Sequence, residues 1–183
     1  MATAKQFAKM VNGVNVDNLF TTIDAIKAAP TIAKFNFRIE NRWEGAGQNR
    51  STVNAFYGAG QEISRQKSFI LHADEPPVLL GDDSAANPVE YLLHSLAACL
   101  TTSMVYHAAA RGIEIEEVES SFEGDIDLHG FLDLDPKVRK GYQGIRAMLS
   151  AHSTAVSAEI RRLSAAAHTH TLFGWRTSGF TNN

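Results

Sequence analysis

The chain carries a single cysteine, Cys99, in the middle of a stretch from Tyr91 to Ala110 that holds no formal charge. A thiol attacks as its thiolate, and a thiolate is favoured by a helix N-terminus or by a nearby cation. Cys99 falls mid-helix in any sensible reading of this stretch, so its helper must be a cation brought from elsewhere in the fold. Arg42, Arg50 and Arg65 on the preceding segments are the candidates. Glu90 precedes Cys99 by nine residues, about half a turn away around a helix, so the two do not meet side by side on one face. Each of these residues also has a plainer use. Cysteine is among the most buried residue types, surface arginines are commonly solvated, and Glu90 is placed to cap a helix.

Seven histidines raise the question of a metal. His168 and His170 form a His-x-His pair, and His94 and His107 fall on the apolar stretch. No Cys-x-x-Cys or His-Glu-x-x-His spacing supports a site. His107 shares roughly the same helix side as Cys99 but lies about 12 Å along it, too far to activate the thiol. The chain has no Gly-x-Ser-x-Gly elbow, P-loop or dinucleotide fingerprint, so no metal and no cofactor are expected.

The elements that must position these groups follow from local signals. Asn87 is a good N-cap, Pro88 suits the first helical position, and Glu90 at the third can reach back to the cap amide. Gly112 after Arg111 is a common helix stop. The spacing predicts a helix of about 24 residues, roughly 36 Å long, apolar nearly all round and therefore buried. His94, Ser95, Thr101, Thr102, Ser103 and His107 are too many polar groups for a lone membrane span.

Residues 1–32 read as an N-terminal helical extension, serving packing or an oligomer contact. Its first segment, residues 2–10, is interrupted by Asn12-Gly13; the second, residues 18–29, is capped by Asp17 and stopped by Pro30. Residues 33–183 form the main domain. Within it, residues 33–43 alternate as a strand, 45–49 turn, and 50–57 return as a second strand. Residues 58–60 turn again, and 68–72 make a third short strand. A Pro- and Gly-rich connection, residues 73–86 with Val78-Leu79-Leu80 in its middle, leads to the helix cap. After the helix, residues 113–128 read as an acid-rich strand bent at Gly124, 129–140 as a loop, 142–150 as a strand, and 153–168 as a second helix before an irregular tail. Strands, helix, strands, helix describe an α+β domain with antiparallel sheet.

A chain of 183 residues with 44% hydrophobic and 20% charged residues buries a proper core. A net charge of −3 gives no electrostatic case for nucleic acid or an anionic membrane as partner. No basic stretch followed by an apolar run opens the chain, and one cysteine forms no internal disulfide, so a reducing cytoplasm is expected.

The central stretch resembles the OsmC/Ohr family, the osmotically inducible and organic hydroperoxide resistance proteins. The likeness rests on Asp74-Glu75-Pro76-Pro77, Leu80-Gly81-Asp82, the Asn87-Pro88 pair and Ala97-Ala98-Cys99 twelve residues after the asparagine. It implies antiparallel sheet wrapped around a long central helix in an intertwined homodimer, with sites at the dimer interface. It also implies thiol-dependent reduction of peroxides, with Cys99 matching the peroxidatic cysteine. Arg50 matches the activating arginine best, with Arg42 second. The family's glutamate directly follows Asn-Pro; here that position is Val89 and Glu90 comes one later. The family's resolving cysteine is absent, and its usual place falls near His170-Thr171.

Two readings follow. In the first, Cys99 reduces an organic hydroperoxide, with Arg50 and Glu90 as helpers, and an external thiol completes turnover. In the second, the fold is a non-catalytic module that binds a small apolar ligand at the dimer interface, and Cys99 is a packing residue.

Overall fold

The protein is described from a computed structural model in which residues 9–153 are placed. In chain order the elements are β1 (Met10–Val11), β2 (Val14–Asn15), α1 (Val16–Ala28), β3 (Glu40–Gly45), β4 (Gln48–Val53), β5 (Phe56–Gly58) and β6 (Gln61–Ile63). There follow β7 (Phe69–Ala73), α2 (Pro88–Ala110), β8 (Glu117–Ile126), α3 (Leu128–Phe131) and β9 (Tyr142–His152). All the ladders among the described residues are antiparallel: β1-β2, β3-β4-β7, β5-β6 and β8-β9. The chain is therefore α+β, as expected. The anticipated helix over residues 153–168 and the tail lie outside the described residues. The chain divides into two compact units, Met1–Val16 with Leu93–Asn183, and Asp17–Leu92.

In the first unit, Asn12 (φ 52°) and Gly13 (φ 74°) form the tip of the β1–β2 hairpin. Asn-Gly is a strong signal for a two-residue hairpin whose central residues both need positive φ. Read as a helix interruption, it is instead a strand reversal. The Asn12 side chain then acts as a strand partner: its Nδ2 donates to the Ile113 carbonyl (2.9 Å) and its Oδ1 accepts from the Ile115 amide (2.8 Å). Val11, Val16 and Ala109 pack together, with Val14 against them.

The C-terminus of α2 closes with Gly112 at φ 70°. The Gly112 amide donates to Ala109 and the Ile113 amide to Ala108, both at 3.0 Å, the paired pattern by which a left-handed residue satisfies the last helical carbonyls. Met104, Ala108 and Ile113 form the adjoining core, with Ile115, Val118 and Ala151 packed on it.

The β8–β9 ladder runs from Glu117 opposite His152 to Ile126 opposite Tyr142, with an irregularity between Asp125 and Ile126. Gly124 stays paired with Ile145 rather than bending the strand; a Cβ there would lie 2.4 Å from the Tyr142 ring. The loop expected after β8 begins with the one-turn helix α3, because the Asp127 carboxylate caps it by accepting from the His129 amide at 2.9 Å. That bond, with help from the His129 side chain, holds the Asp127 carboxyl below the usual carboxylate range.

In the second unit, the expected strand over residues 33–43 is shorter. Asn36 makes an isolated bridge with Tyr57, and regular pairing starts only at Glu40. The expected strand over 50–57 likewise splits into β4 and β5 around Asn54-Ala55. Helix α1 starts one residue before Asp17, placing that acid in the first turn rather than at the cap.

Candidate functional site

Helix α2 begins with a reciprocal capping box. The Glu90 amide donates to Asn87 Oδ1 at 2.9 Å, and the Asn87 amide donates to a Glu90 carboxylate oxygen at 2.8 Å. Two amides that the first turn leaves without helical partners are thereby satisfied. One oxygen of the Glu90 carboxylate serves this cap. The Tyr91 hydroxyl donates to the His72 carbonyl on β7, tying the helix start to the sheet of its own unit.

The segment leading to the cap is organised by a residue to which the sequence reading gave no role. Asp74 is fully buried. Its Oδ1 accepts from the Glu75 amide (2.8 Å), and its Oδ2 accepts from the Asp82 amide (3.2 Å), the Ser84 amide (3.1 Å) and the Ser84 hydroxyl (2.8 Å). The Ser84 hydroxyl contributes most to holding the Asp74 carboxyl below the usual range, with the three backbone amides adding to it against the opposing effect of burial. A carboxylate with this many donors stays ionised in the interior. Gly81 allows the loop to close, since a Cβ there would lie 1.8 Å from the Glu75 carbonyl oxygen. The available signal was an acid at the start of a Pro/Gly-rich loop with a serine ten residues later.

Arg50 lies in the middle of β4, opposite Arg42 on β3 and His72 on β7. The three residues therefore form one row across the sheet. Glu44, two residues after Arg42 and so on the same face of β3, lies next to this row, beside a register shift between Trp43 and Gly45. The Arg50 Nε donates to Glu44 Oε1 at 2.9 Å, and His72 Nδ1 lies 4.0 Å from Glu44 Oε2. Arg65 is committed differently. It donates to the Asn54 carbonyl at 3.0 Å, and its guanidinium sits over the rings of Phe56 (5.0 Å) and Phe69 (5.1 Å).

Cys99 is an exposed free thiol. Within the single chain, α2 is not buried on all sides. Within α2 the buried residues are Leu100, Met104, Ala108 and Ala109. Leu92 and Tyr106, seven residues on either side of Cys99, are 55% and 51% exposed. Seven residues are nearly two helical turns, so all three share one side of α2, and Ser95 and Thr102 on that side are exposed as well. The described elements of the single chain cover one side of this apolar helix.

Among the described residues no three His, Cys, Asp or Glu side chains converge as a metal would require. His168 and His170 lie outside the described residues. No described helix is long and apolar enough to cross a membrane.

Residues 81–173, just over half of the chain, match the model of the OsmC-like protein family. The chain belongs to the OsmC-like family. That span opens at Gly81, contains the capping box and places Cys99 on the central helix. Solved structures with this fold agree. An OsmC-like protein from Mycoplasma pneumoniae superposes with a TM-score of 0.54 at 18% identity, covering 74% of this chain and 82% of its own. An OsmC-like protein of unknown function from Vibrio cholerae gives 0.54 at 10% identity, covering 78% and 96%. A candidate osmotic stress induced and detoxification response protein from Psychrobacter arcticus gives 0.51 at 14% identity, covering 70% and 79%. The chain matches no curated protein.

Proposed function

We propose that this OsmC-like chain is a one-cysteine hydroperoxide reductase acting in stress defence. The observation that supports the reading is the position of Cys99: the chain's one thiol, free and mid-way along the central helix of an OsmC-like chain, at the position that the resemblance matches to a peroxidatic cysteine. The detoxification role named for the Psychrobacter arcticus protein points the same way.

In the proposed reaction the Cys99 thiolate attacks the terminal oxygen of ROOH. The S–O bond forms as the O–O bond breaks, and the alkoxide leaves and takes up a proton as ROH. The sulfur is oxidised to a sulfenic acid and the peroxide is reduced. With one cysteine in the chain, no internal disulfide can form. One external thiol therefore displaces water to give a mixed disulfide, and a second thiol releases Cys99 with an external disulfide as product. Such thiols suit a reducing cytoplasm.

Arg50 is assigned as the thiolate partner. A second copy of the chain is assigned to the exposed side of α2, where Leu92 and Tyr106 offer apolar surface for an interface and for a hydrophobic peroxide.

The test is intact mass after one equivalent of cumene hydroperoxide with dimedone present, on wild type and on Cys99→Ser. The expected result is one fast adduct that disappears in the variant. An unmodified thiol overturns the reading in favour of the non-catalytic binding module, which native mass spectrometry of a retained ligand then tests.

A further inference from the structure

We infer that Glu44 is the positioning residue for Arg50 in this chain; this rests on the proposed role of Arg50 at Cys99. The Arg50 Nε donates to Glu44 Oε1 at 2.9 Å. The Glu90 carboxylate instead accepts from the Asn87 amide, and Glu90's own amide is bound by Asn87. One oxygen of the acid on α2 thus serves the cap, while the acid on the hairpin is engaged with the arginine.

The surroundings show why an anion is needed at this point. Arg50 is paired across β3 with Arg42 and across β7 with His72. Like charges directly opposite in a ladder repel, and two guanidinium groups in register would drive each other away from the sheet. Glu44 supplies the opposite charge within reach of both Arg50 and His72. Two residues after Arg42 on β3, Glu44 shares its face of the hairpin by ordinary strand alternation. That hairpin tip is pinned in turn: the Trp43 Nε1 donates to the Ala46 carbonyl at 3.1 Å, and Gln48 Nε2 donates to Asp82 at 2.9 Å.

As a surface ion pair this contact adds little stability, because both side chains are more than a third exposed, 38% for Arg50 and 37% for Glu44. Its effect is orientational. Held through Nε, the guanidinium keeps its two terminal nitrogens on one side, a fork that a thiolate or a peroxide oxygen can accept from. A freed Arg50 samples many rotamers and spends little time in that pose.

The experiment measures the single-turnover rate of Cys99 oxidation by cumene hydroperoxide, by dimedone trapping, in wild type, Glu44→Gln, Glu44→Asp, Arg50→Met and Glu90→Gln, each checked for an unchanged melting temperature. Misplacing a catalytic contact by an ångström costs orders of magnitude in rate. Glu44→Gln is therefore expected to slow oxidation on the order of tenfold, with Glu44→Asp partly restoring it and the double variant with Arg50→Met no slower than Arg50→Met alone. A Glu44→Gln rate equal to wild type, with Arg50→Met slow, overturns the positioning role and leaves the proposed function standing. A slow Glu90→Gln beside a normal Glu44→Gln returns the role to Glu90 and overturns the inference. If Arg50→Met is as fast as wild type, the inference falls with the assignment of Arg50; if wild-type Cys99 is never oxidised, the proposed function itself falls.

Discussion

At its N-terminus α2 is held by directed polar bonds, and at its C-terminus by packed apolar side chains. The first end depends on the Asn87–Glu90 box, the Tyr91 hydroxyl on the His72 carbonyl and a loop strung on the buried Asp74 carboxylate. The second depends on Met104, Ala108 and Ile113, and on Ala109 against Val11 and Val16. Hydrogen bonds fix direction, whereas packing fixes volume. Cys99 lies between the two, on a side that neither end covers.

The division is broken most severely by Gly81→Ala. The added methyl would meet the Glu75 carbonyl at 1.8 Å, so the loop must rebuild and the Asp74 bonds must go. A loss on the order of 4 kcal/mol is expected in the denaturant midpoint, with hydrogen exchange rising first in the opening turn of α2. Met104→Ala attacks the other end. Met104 is 1% exposed, and truncation at such a site costs about 3 kcal/mol, with exchange rising instead around residues 104–113. Equal loosening of both ends in either variant would show one cooperative unit and erase the contrast.

Acid separates the ends without mutation. The Asp74 carboxyl is held below its ordinary range, chiefly by the Ser84 hydroxyl. Its contribution to stability is therefore complete above the unfolded value of about 4 and is lost as pH falls through the lower folded value. The apolar cluster of Met104, Ala108 and Ile113 has nothing to titrate. Hydrogen exchange at residues 82–84 should rise below about pH 4 before it rises at residues 108–113. Asp74→Asn should lower stability at neutral pH and abolish that order.

The same contrast explains what was legible in the sequence. Helix α2 could be read closely because Asn87, Pro88, Glu90 and Gly112 are local signals whose bonds close within a turn. The strands could be read in kind but not in extent, since alternation continues through residues 37–39 and 54–55, which lie in no strand. The Asn12-Gly13 hairpin was obscured because each arm is only two residues long, while its bonds to Ile113 and Ile115 bridge about a hundred positions. Asp74 stood in a recognisable motif, yet its part in the loop was not legible because its partners Asp82 and Ser84 lie eight and ten residues on; Glu44 reaches Arg50 only across the hairpin. The exposure of Cys99 ran against composition, because an apolar helix signals burial without saying what buries it.

The smallest expected effect tests the polar end at its most local point. Asn87→Ala removes the acceptor for the Glu90 amide and should cost about 1 kcal/mol, as loss of an N-cap generally does. Glu90→Gln keeps an acceptor for the Asn87 amide and gives up only the favourable charge at the helix start, a few tenths of a kcal/mol. Urea midpoints of the two variants should fall in that order. A Glu90→Gln midpoint lower than that of Asn87→Ala would mean that Glu90 supports more than the cap, and the N-terminal end would then be held by charge as much as by hydrogen-bond direction.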